Sequence, residues 1–406
     1  MLSRVINNFS RLISGNILAS FISLFSVTYI ANDLGIYEFG LFVICQSAYI
    51  TLDKVFNIQG WQAIIRWGQD DYNYYSVYFY INIFLSLLAL IVGCSVVLII
   101  DSFFDISDLI TPLFVYFLLI IFRNQDTAQA IIRKNNRYEL LSLSAVFLSA
   151  SRAILILLYD LDLIIVIKIF VITEIAYFLL INVVAYKISD INFIRFNFKD
   201  SLSLDMRSCL VSGAKINLTQ VSDLPVSTMD SFIIAGFFGA DTVGVYKLIR
   251  KYSSLLGRLV APMNQVIFPE VSSLVRRHEL KGAISFSKKM MLIYFFCLSI
   301  VSIVLFFLYE FFGKNFIAFD MGLYSVITIF LIEILALTFS VFGLMMIATE
   351  KAVMDAKFIL FANVFYVLLL TVLPSDFGLY GIIFALSLQV LSLSLCRYLA
   401  LRRVGF

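Results

Sequence analysis

Long apolar runs separated by short polar connections set the pattern of this chain from end to end. A helix that crosses a bilayer needs about 20 mostly apolar residues. That ruler predicts segments near residues 12–31, 37–58, 77–100, 109–128, 140–158 and 163–186. A second set follows near 210–237, 243–272, 290–311, 322–348, 354–373 and 378–399. The expected fold class is an all-α polytopic membrane protein with twelve transmembrane helices. The longest polar break in mid-chain lies between the sixth and seventh segments, where Phe193–Arg207 mixes Phe with Lys, Arg and Asp. The pattern therefore divides the chain into an N-terminal six-helix lobe (1–190), a cytoplasmic interfacial linker (191–208) and a C-terminal six-helix lobe (209–406).

The basic residues test this count, because cytoplasmic connections collect Lys and Arg. Arg4 and Arg11 precede the first segment, and Asn32–Glu38 has neither residue type. Arg66 comes next, then the basic-free stretch Asp101–Asp108, then Arg133, Lys134 and Arg137. The alternation continues to the tail, where Arg397, Arg402 and Arg403 stand. Both termini are thus expected on the cytoplasmic side. Trp61–Trp67, with Arg66 between aromatic residues, has the make-up of an interfacial helix. The apolar run after the basic N-terminus is long enough to span and carries no small-residue cleavage site, so no cleavable signal peptide is expected.

The two halves share a short repeat. Leu34-Gly-Ile-Tyr-Glu-Phe-Gly-Leu-Phe42 aligns with Phe238-Gly-Ala-Asp-Thr-Val-Gly-Val-Tyr246 at an offset of 204 residues, with both glycines in register. Each copy turns the corner between the first two spans of its half. Both halves start on the same side, so the repeat is of the parallel kind, about an axis along the membrane normal.

Composition agrees with the pattern. Of 406 residues, 61% are hydrophobic and 14% charged, against roughly a quarter charged in soluble domains. The mean hydropathy is +0.97. The net charge of +3 is small, and no nucleic-acid partner is expected. Cys45, Cys94, Cys209, Cys297 and Cys396 lie in or beside apolar runs without close pairs, and read as buried thiols rather than a disulfide framework or metal site. The lone His278 stands beside Arg276 and Arg277 and reads as a solvated loop residue. No metal site is expected, and no Walker A sequence occurs.

What changes the picture is charge inside the apolar segments. Lys247, Arg250, Lys251 and Arg258 share one face of the eighth segment, and cations at such depth turn toward a bundle interior or wet cavity. If the seventh segment ends at Gly239 and the eighth starts near Thr242, Asp230 comes level with Lys251 and Asp223 with Arg258. These carboxylates read either as structural ion pairs or as coupling groups. Through the repeat, Arg258 maps onto Lys54, Arg250 onto Gln46 and Asp223 onto Ala19. Gln46, Ile50, Asp53 and Asn57 continue a largely polar stripe beside Lys54. Arg123, Arg152, Lys168 and Lys215, with Asp126, Glu174 and Glu333, lie in or at the ends of other segments. The predominantly cationic interior points to an anionic transported group, received in a central cavity between the two lobes. The carboxylates are then candidates for coupling H+ or Na+.

The corner Leu34-Gly-Ile-Tyr-Glu-Phe-Gly-Leu-Phe42 resembles the first hairpin of the polysaccharide exporter branch of the multidrug/oligosaccharidyl-lipid/polysaccharide (MOP) superfamily. Gln59–Gly68 and Asp230–Gly239 followed by Val243–Tyr246 resemble further parts of that pattern. The nearest likeness is to Wzx-type O-antigen flippases. The resemblance implies a MATE-like alternating-access carrier and no enzyme. Its substrate would be an undecaprenyl-pyrophosphate-linked oligosaccharide, such as a lipopolysaccharide repeat unit, moved from the cytoplasmic to the outer leaflet of a bacterial plasma (inner) membrane. It implies no cofactor beyond a coupling ion. Partners would be the lipid-linked oligosaccharide, the bilayer and other polysaccharide assembly proteins. Related lipid flippases hold pyrophosphate with central arginines, and the positions available here are Lys54 and Arg258, with Arg250, Lys251, Lys247, Gln46 and Asn57 around them. Asp53, Asp223, Asp230, Glu174 and Glu333 would be ion-coupling or ion-pairing groups. The sequence departs from the arginine clamp in having no arginine in the middle of the first span. Two alternatives remain: a cation or drug antiporter of the same fold, which would favour an acidic cavity, and a membrane glycan polymerase or ligase, which would want a large outer loop.

Overall fold

The computed structural model describes residues 2–57, 73–103, 107–122, 125–135, 137–189, 211, 214, 217–218, 220–308, 323–349 and 351–402. The expected interfacial segments at 61–67 and 193–207 lie outside these residues, as do Arg66, Arg123, Lys215 and Cys209. The described residues are helical or in short turns. The helices are α1 (Leu2–Phe56), α2 (Asn73–Phe103), α3 (Ser107–Phe117), α4 (Leu119–Phe122), α5 (Asp126–Lys134), α6 (Tyr138–Leu158), α7 (Leu163–Ser189), α8 (Asp230–Arg276), α9 (Leu280–Leu308), α10 (Leu323–Ala348) and α11 (Ala352–Arg402). One π-helical turn, Pro225–Met229, leads directly into α8.

Three of these helices are too long to be single crossings. α1 has 55 residues, or roughly 80 Å if straight, against a bilayer core of about 30 Å. It contains Gly35 with φ 77° and ψ 166°. α8 contains Gly239 with φ 80° and ψ 171°, and α11 contains Gly378 with φ 54° and ψ −133°. The first two torsion pairs lie in a region that only glycine occupies without strain. Among the described residues, ten helical stretches are long and apolar enough to cross a membrane. Two of them, Gly15–Phe56 and Pro225–Arg258, each contain one of these corners, so the expected twelve crossings depend on counting their arms separately.

The corners are reversals, as contacts across them show. Lys247 reaches Asp230 at 2.6 Å, although a straight helix would hold them roughly 25 Å apart. In α11, Arg397 meets Asp355 and Gln389 donates to Asn363 at 2.9 Å. Both pairs are centred on residue 376, as an antiparallel hairpin requires.

The chain forms two compact units. One comprises Met1–Ser26 with Leu41–Leu224, the other Val27–Gly40 with Pro225–Phe406. The second unit thus gathers a piece of the first hairpin. Inside it the two repeated corners touch. A Cβ on Gly40 would overlap the backbone of Ala240, and one on Gly244 would lie 2.7 Å from the Ile36 carbonyl oxygen. Under the repeat, Ile36 corresponds to Ala240 and Gly40 to Gly244. The contact is therefore reciprocal, as in a two-fold interface.

In the first unit, Tyr78, Ala128, Ile131, Ile132, Tyr177 and Ile181 build one apolar cluster. Much apolar surface remains outward on α2, α9 and α11, for example Ile91, Phe296 and Phe361. In a soluble protein that would be a liability; on membrane helices it is the lipid-facing surface. Cys45 is buried as expected, whereas Cys297 is exposed, because it stands on an outward stripe of α9 beside Phe295 and Phe296. His278 is exposed, at the turn after α8, with φ 61°.

Candidate functional site

The interior charges of the second unit form pairs. The Asp230 side chain is wholly enclosed, and Lys247 donates from Nζ to its Oδ1 at 2.6 Å. Lys247 also donates to the Ser227 carbonyl at 3.3 Å. The expected partner was Lys251, one turn further along. The difference follows from the corner: Gly239 alone makes it, so the helix resumes at once rather than at Thr242. Lys247 then comes level with Asp230. Lys247 therefore does not simply extend toward the surface.

Arg250, one turn deeper, reaches Glu333 of α10 at 3.5 Å. Beside this pair the Tyr246 and Tyr366 hydroxyls meet at 3.3 Å. At the base of the α11 hairpin, Arg397 makes a two-pronged contact with Asp355, Nε to Oδ1 at 2.7 Å and Nη2 to Oδ2 at 3.0 Å. Lys251 is half-buried, and Arg258 and Asp223 are exposed.

The first unit has its own paired cation. Arg152 of α6 reaches Glu174 of α7 at 3.1 Å and donates from Nε to the Thr173 hydroxyl at 3.3 Å. Its guanidinium lies over the Phe170 ring at 4.0 Å, and that ring packs edge-on to Phe42. Gln125 donates to the other Glu174 oxygen at 3.3 Å. Glu174 is thus held from two sides. Lys168 is exposed, and Gln46 and Lys54 are half-buried. Asn217 donates to the Lys54 carbonyl at 3.0 Å.

Asp53 is buried and lines a small cavity with Asn57, Asn82, Ser86 and Asp126. Asn57 donates from Nδ2 to Asp126 Oδ2 at 3.3 Å.

Lys247, Arg250, Asp230, Glu174 and Glu333 are held in pairs that fix their positions. Lys54 and Arg258 lie equally far beyond their corner glycines, Gly35 and Gly239, at roughly 28 Å along the helix. That depth corresponds to the far side of a bilayer core. Sequence reasoning missed Asp355–Arg397, Asn363–Gln389 and Tyr246–Tyr366. The level-matching used for Asp230 would have found the first two had it been applied to the last hairpin. Tyr246–Tyr366 joins α8 to α11, and nothing in the sequence pairs those helices.

Comparisons place this geometry among known folds. A MOP superfamily transporter from Pyrococcus furiosus, described as having a binding pocket of reversed polarity that suggests a different function, superposes with a TM-score of 0.69 at 13% identity. The match covers 98% of this chain and 95% of that one. An outward-facing multidrug resistance MATE family transporter of the MOP superfamily gives 0.67 at 14% identity, over 98% of this chain and 95% of that one. A Vibrio cholerae MATE transporter gives 0.66 at 13%, over 99% and 96%. At such identities the likeness establishes the fold, that of a MOP transporter. No curated protein matches the sequence significantly. Residues 5–275, well over half of the chain, match the polysaccharide biosynthesis protein family. The chain belongs to that family.

Proposed function

We propose that this protein is a flippase for a lipid-linked oligosaccharide. It moves an undecaprenyl-pyrophosphate-linked repeat unit, of O-antigen or another surface polysaccharide, from the cytoplasmic to the outer leaflet of a bacterial plasma membrane by alternating access. Its termini face the cytoplasm. The observation that carries the reading is the family match over residues 5–275 on a chain with the MOP transporter fold. The chemistry is consistent with it. A pyrophosphate cannot enter hydrocarbon without compensating charge, and repeat-related positions in both halves supply basic side chains, Lys54 and Arg258. Arg250 and Lys247, engaged with Glu333 and Asp230, orient the surroundings rather than take the first contact with the substrate.

The test is the double substitution K54Q/R258Q in a strain that depends on this protein for surface glycan. Glycan at the surface is expected to vanish while membrane insertion and protein level stay normal. Full surface glycan in that variant would sink the assignment of these two residues.

A further inference from the structure

The end of α5, the start of α6 and the end of α7 surround an apolar cleft in the first unit. Ile132 of α5, Leu140, Ser144 and Phe147 of α6, and Leu180 and Val184 of α7 line it. Its volume is about 230 Å³, below the roughly 300–1,000 Å³ of ordinary small-molecule pockets. Ile132 is buried, whereas Phe147 and Leu143 at the edge are 46% and 64% exposed. The Ser144 hydroxyl donates to the Leu141 carbonyl at 2.9 Å. The wall is therefore apolar and opens toward lipid.

Two stripes of this wall each run out into a cation. Arg137, Leu140, Ser144 and Phe147 stand at i, i+3, i+7 and i+10, and Leu180, Val184 and Lys187 at i, i+4 and i+7, so each set shares a helix face. The Arg137 backbone N–H donates to the Ile132 carbonyl at 3.1 Å, which fixes Arg137 at the mouth of the cleft. Its side chain is 62% exposed and touches Glu139 at 3.7 Å, a contact that uses few of the five N–H donors of a guanidinium. Lys187 is exposed. Phe147 lies nine residues beyond Tyr138, and Leu180 nine before Ser189, or roughly 14 Å of helix in each case. That is about half of a 30 Å hydrocarbon core. The cleft is thus one leaflet deep, with both cations at its headgroup end.

We infer that this cleft binds one anionic phospholipid, with an acyl chain along α6 and α7 and the phosphate between Arg137 and Lys187. A bare apolar cleft would take any lipid chain. Cations beside a cleft between membrane helices select anionic headgroups, and here two of them, partly offset by Glu139, give a preference of about tenfold over a zwitterionic headgroup. Because the edge at Leu143 and Phe147 is open, a bilayer lipid enters sideways. The bound lipid ties α5, α6 and α7 together. This site does not depend on the transport reading above.

The experiment is native mass spectrometry of the delipidated full-length protein in detergent, titrated with phosphatidylglycerol and, in parallel, with phosphatidylcholine. One phosphatidylglycerol is expected to bind about tenfold more tightly than phosphatidylcholine. R137Q/K187Q should bring phosphatidylglycerol down to the level of phosphatidylcholine and leave the latter unchanged. V184W, which fills the cleft, should weaken both lipids. K357Q, at an exposed lysine of α11, should leave the preference intact. Gel filtration establishes that each variant is monodisperse, and R137Q/K187Q decides by itself should V184W fail that check. Equal affinity for the two lipids in wild type, or an undiminished preference in R137Q/K187Q, would overturn the inference. A dimer mass that V184W abolishes would overturn it too, because the cleft would then hold a second copy of the chain. Displacement of phosphatidylglycerol by farnesyl pyrophosphate at far lower concentration than by phosphatidylglycerol itself would give the cleft to a polyprenyl pyrophosphate and overturn the phospholipid assignment.

Discussion

Removing the charge of Asp230 or of Lys247 should destabilise the second unit, and by unequal amounts. Asp230 is completely enclosed, while 15% of the Lys247 side chain is exposed. In K247M the carboxylate keeps, among the described residues, the Ser231 hydroxyl at 3.4 Å and the nearby Tyr246 hydroxyl, and its Oδ2 already lacks a hydrogen-bond partner there. An abandoned buried charge costs about 3–5 kcal/mol, and K247M should fall in that range. In D230N the ammonium still has the Ser227 carbonyl and some access to the exterior, so the loss should be nearer 1–3 kcal/mol. The double variant D230N/K247M leaves no buried charge and should recover most of the loss, because neutral replacements for a buried pair are often tolerated. The assay is a double-mutant cycle on thermal unfolding of the detergent-solubilised protein, with D230N/K251M as the comparison. Rescue of D230N by K251M instead of K247M would refute the pairing and restore the level-matching expected from the sequence. Additive losses in D230N/K247M would refute any coupling at all.

Two further substitutions probe packing. G40A places a methyl against the Ala240 backbone, which cannot yield as a side chain end could, whereas a Cβ on Gly236 would meet nothing within 4 Å. G40A should therefore lower the melting temperature of the purified protein and broaden its gel-filtration peak, while G236A leaves both within error. R397K keeps the charge but not the fork that grips Asp355 through two bonds, and lysine cannot restore that geometry. A loss of about 1–3 kcal/mol is expected in the same unfolding assay; wild-type stability in R397K would show that charge alone holds the hairpin.

Much of the fold was legible because it depends on local signals. Apolar length marks a crossing, and Gly35 and Gly239 mark corners because their torsions exclude other residues. The repeat offset was visible for the same reason: the corner glycines are needed for backbone shape, so both copies show them. Pairing across helices was less visible. Asp230 was matched one turn off because a one-residue corner cannot be told from a three-residue one without torsions. Arg152–Glu174, Arg250–Glu333 and Tyr246–Tyr366 depend on which helix faces which, and on helices that are apolar on nearly every side the pattern carries little of that information. The cavity beside Asp53 was half visible, as the stripe Gln46–Asp53–Asn57; its other wall, Asn82 and Asp126, is brought near only by packing.

The repeat also supplies its own control for the Asp230–Lys247 pair. At the equivalent places in the first half stand Ser26 and Val43, both nearly buried. Ser26 closes its hydrogen bond locally, on the Ile22 carbonyl at 2.9 Å. The same corner geometry is thus built there without any ion pair, so folding alone does not require one in the second half. Burying two charges carries a desolvation cost that their mutual attraction often only balances, so the pair adds little that packing needs. The variant D230S/K247V, which copies the first-half residues into the second, should accordingly stay within about 1–2 kcal/mol of wild-type stability and yet lose surface glycan export. Collapse of the fold in this variant would show that the second half has come to depend on the pair for structure. Full export with an intact fold would show that the pair serves neither folding nor transport, and the functional reading of Asp230 would have to be given up.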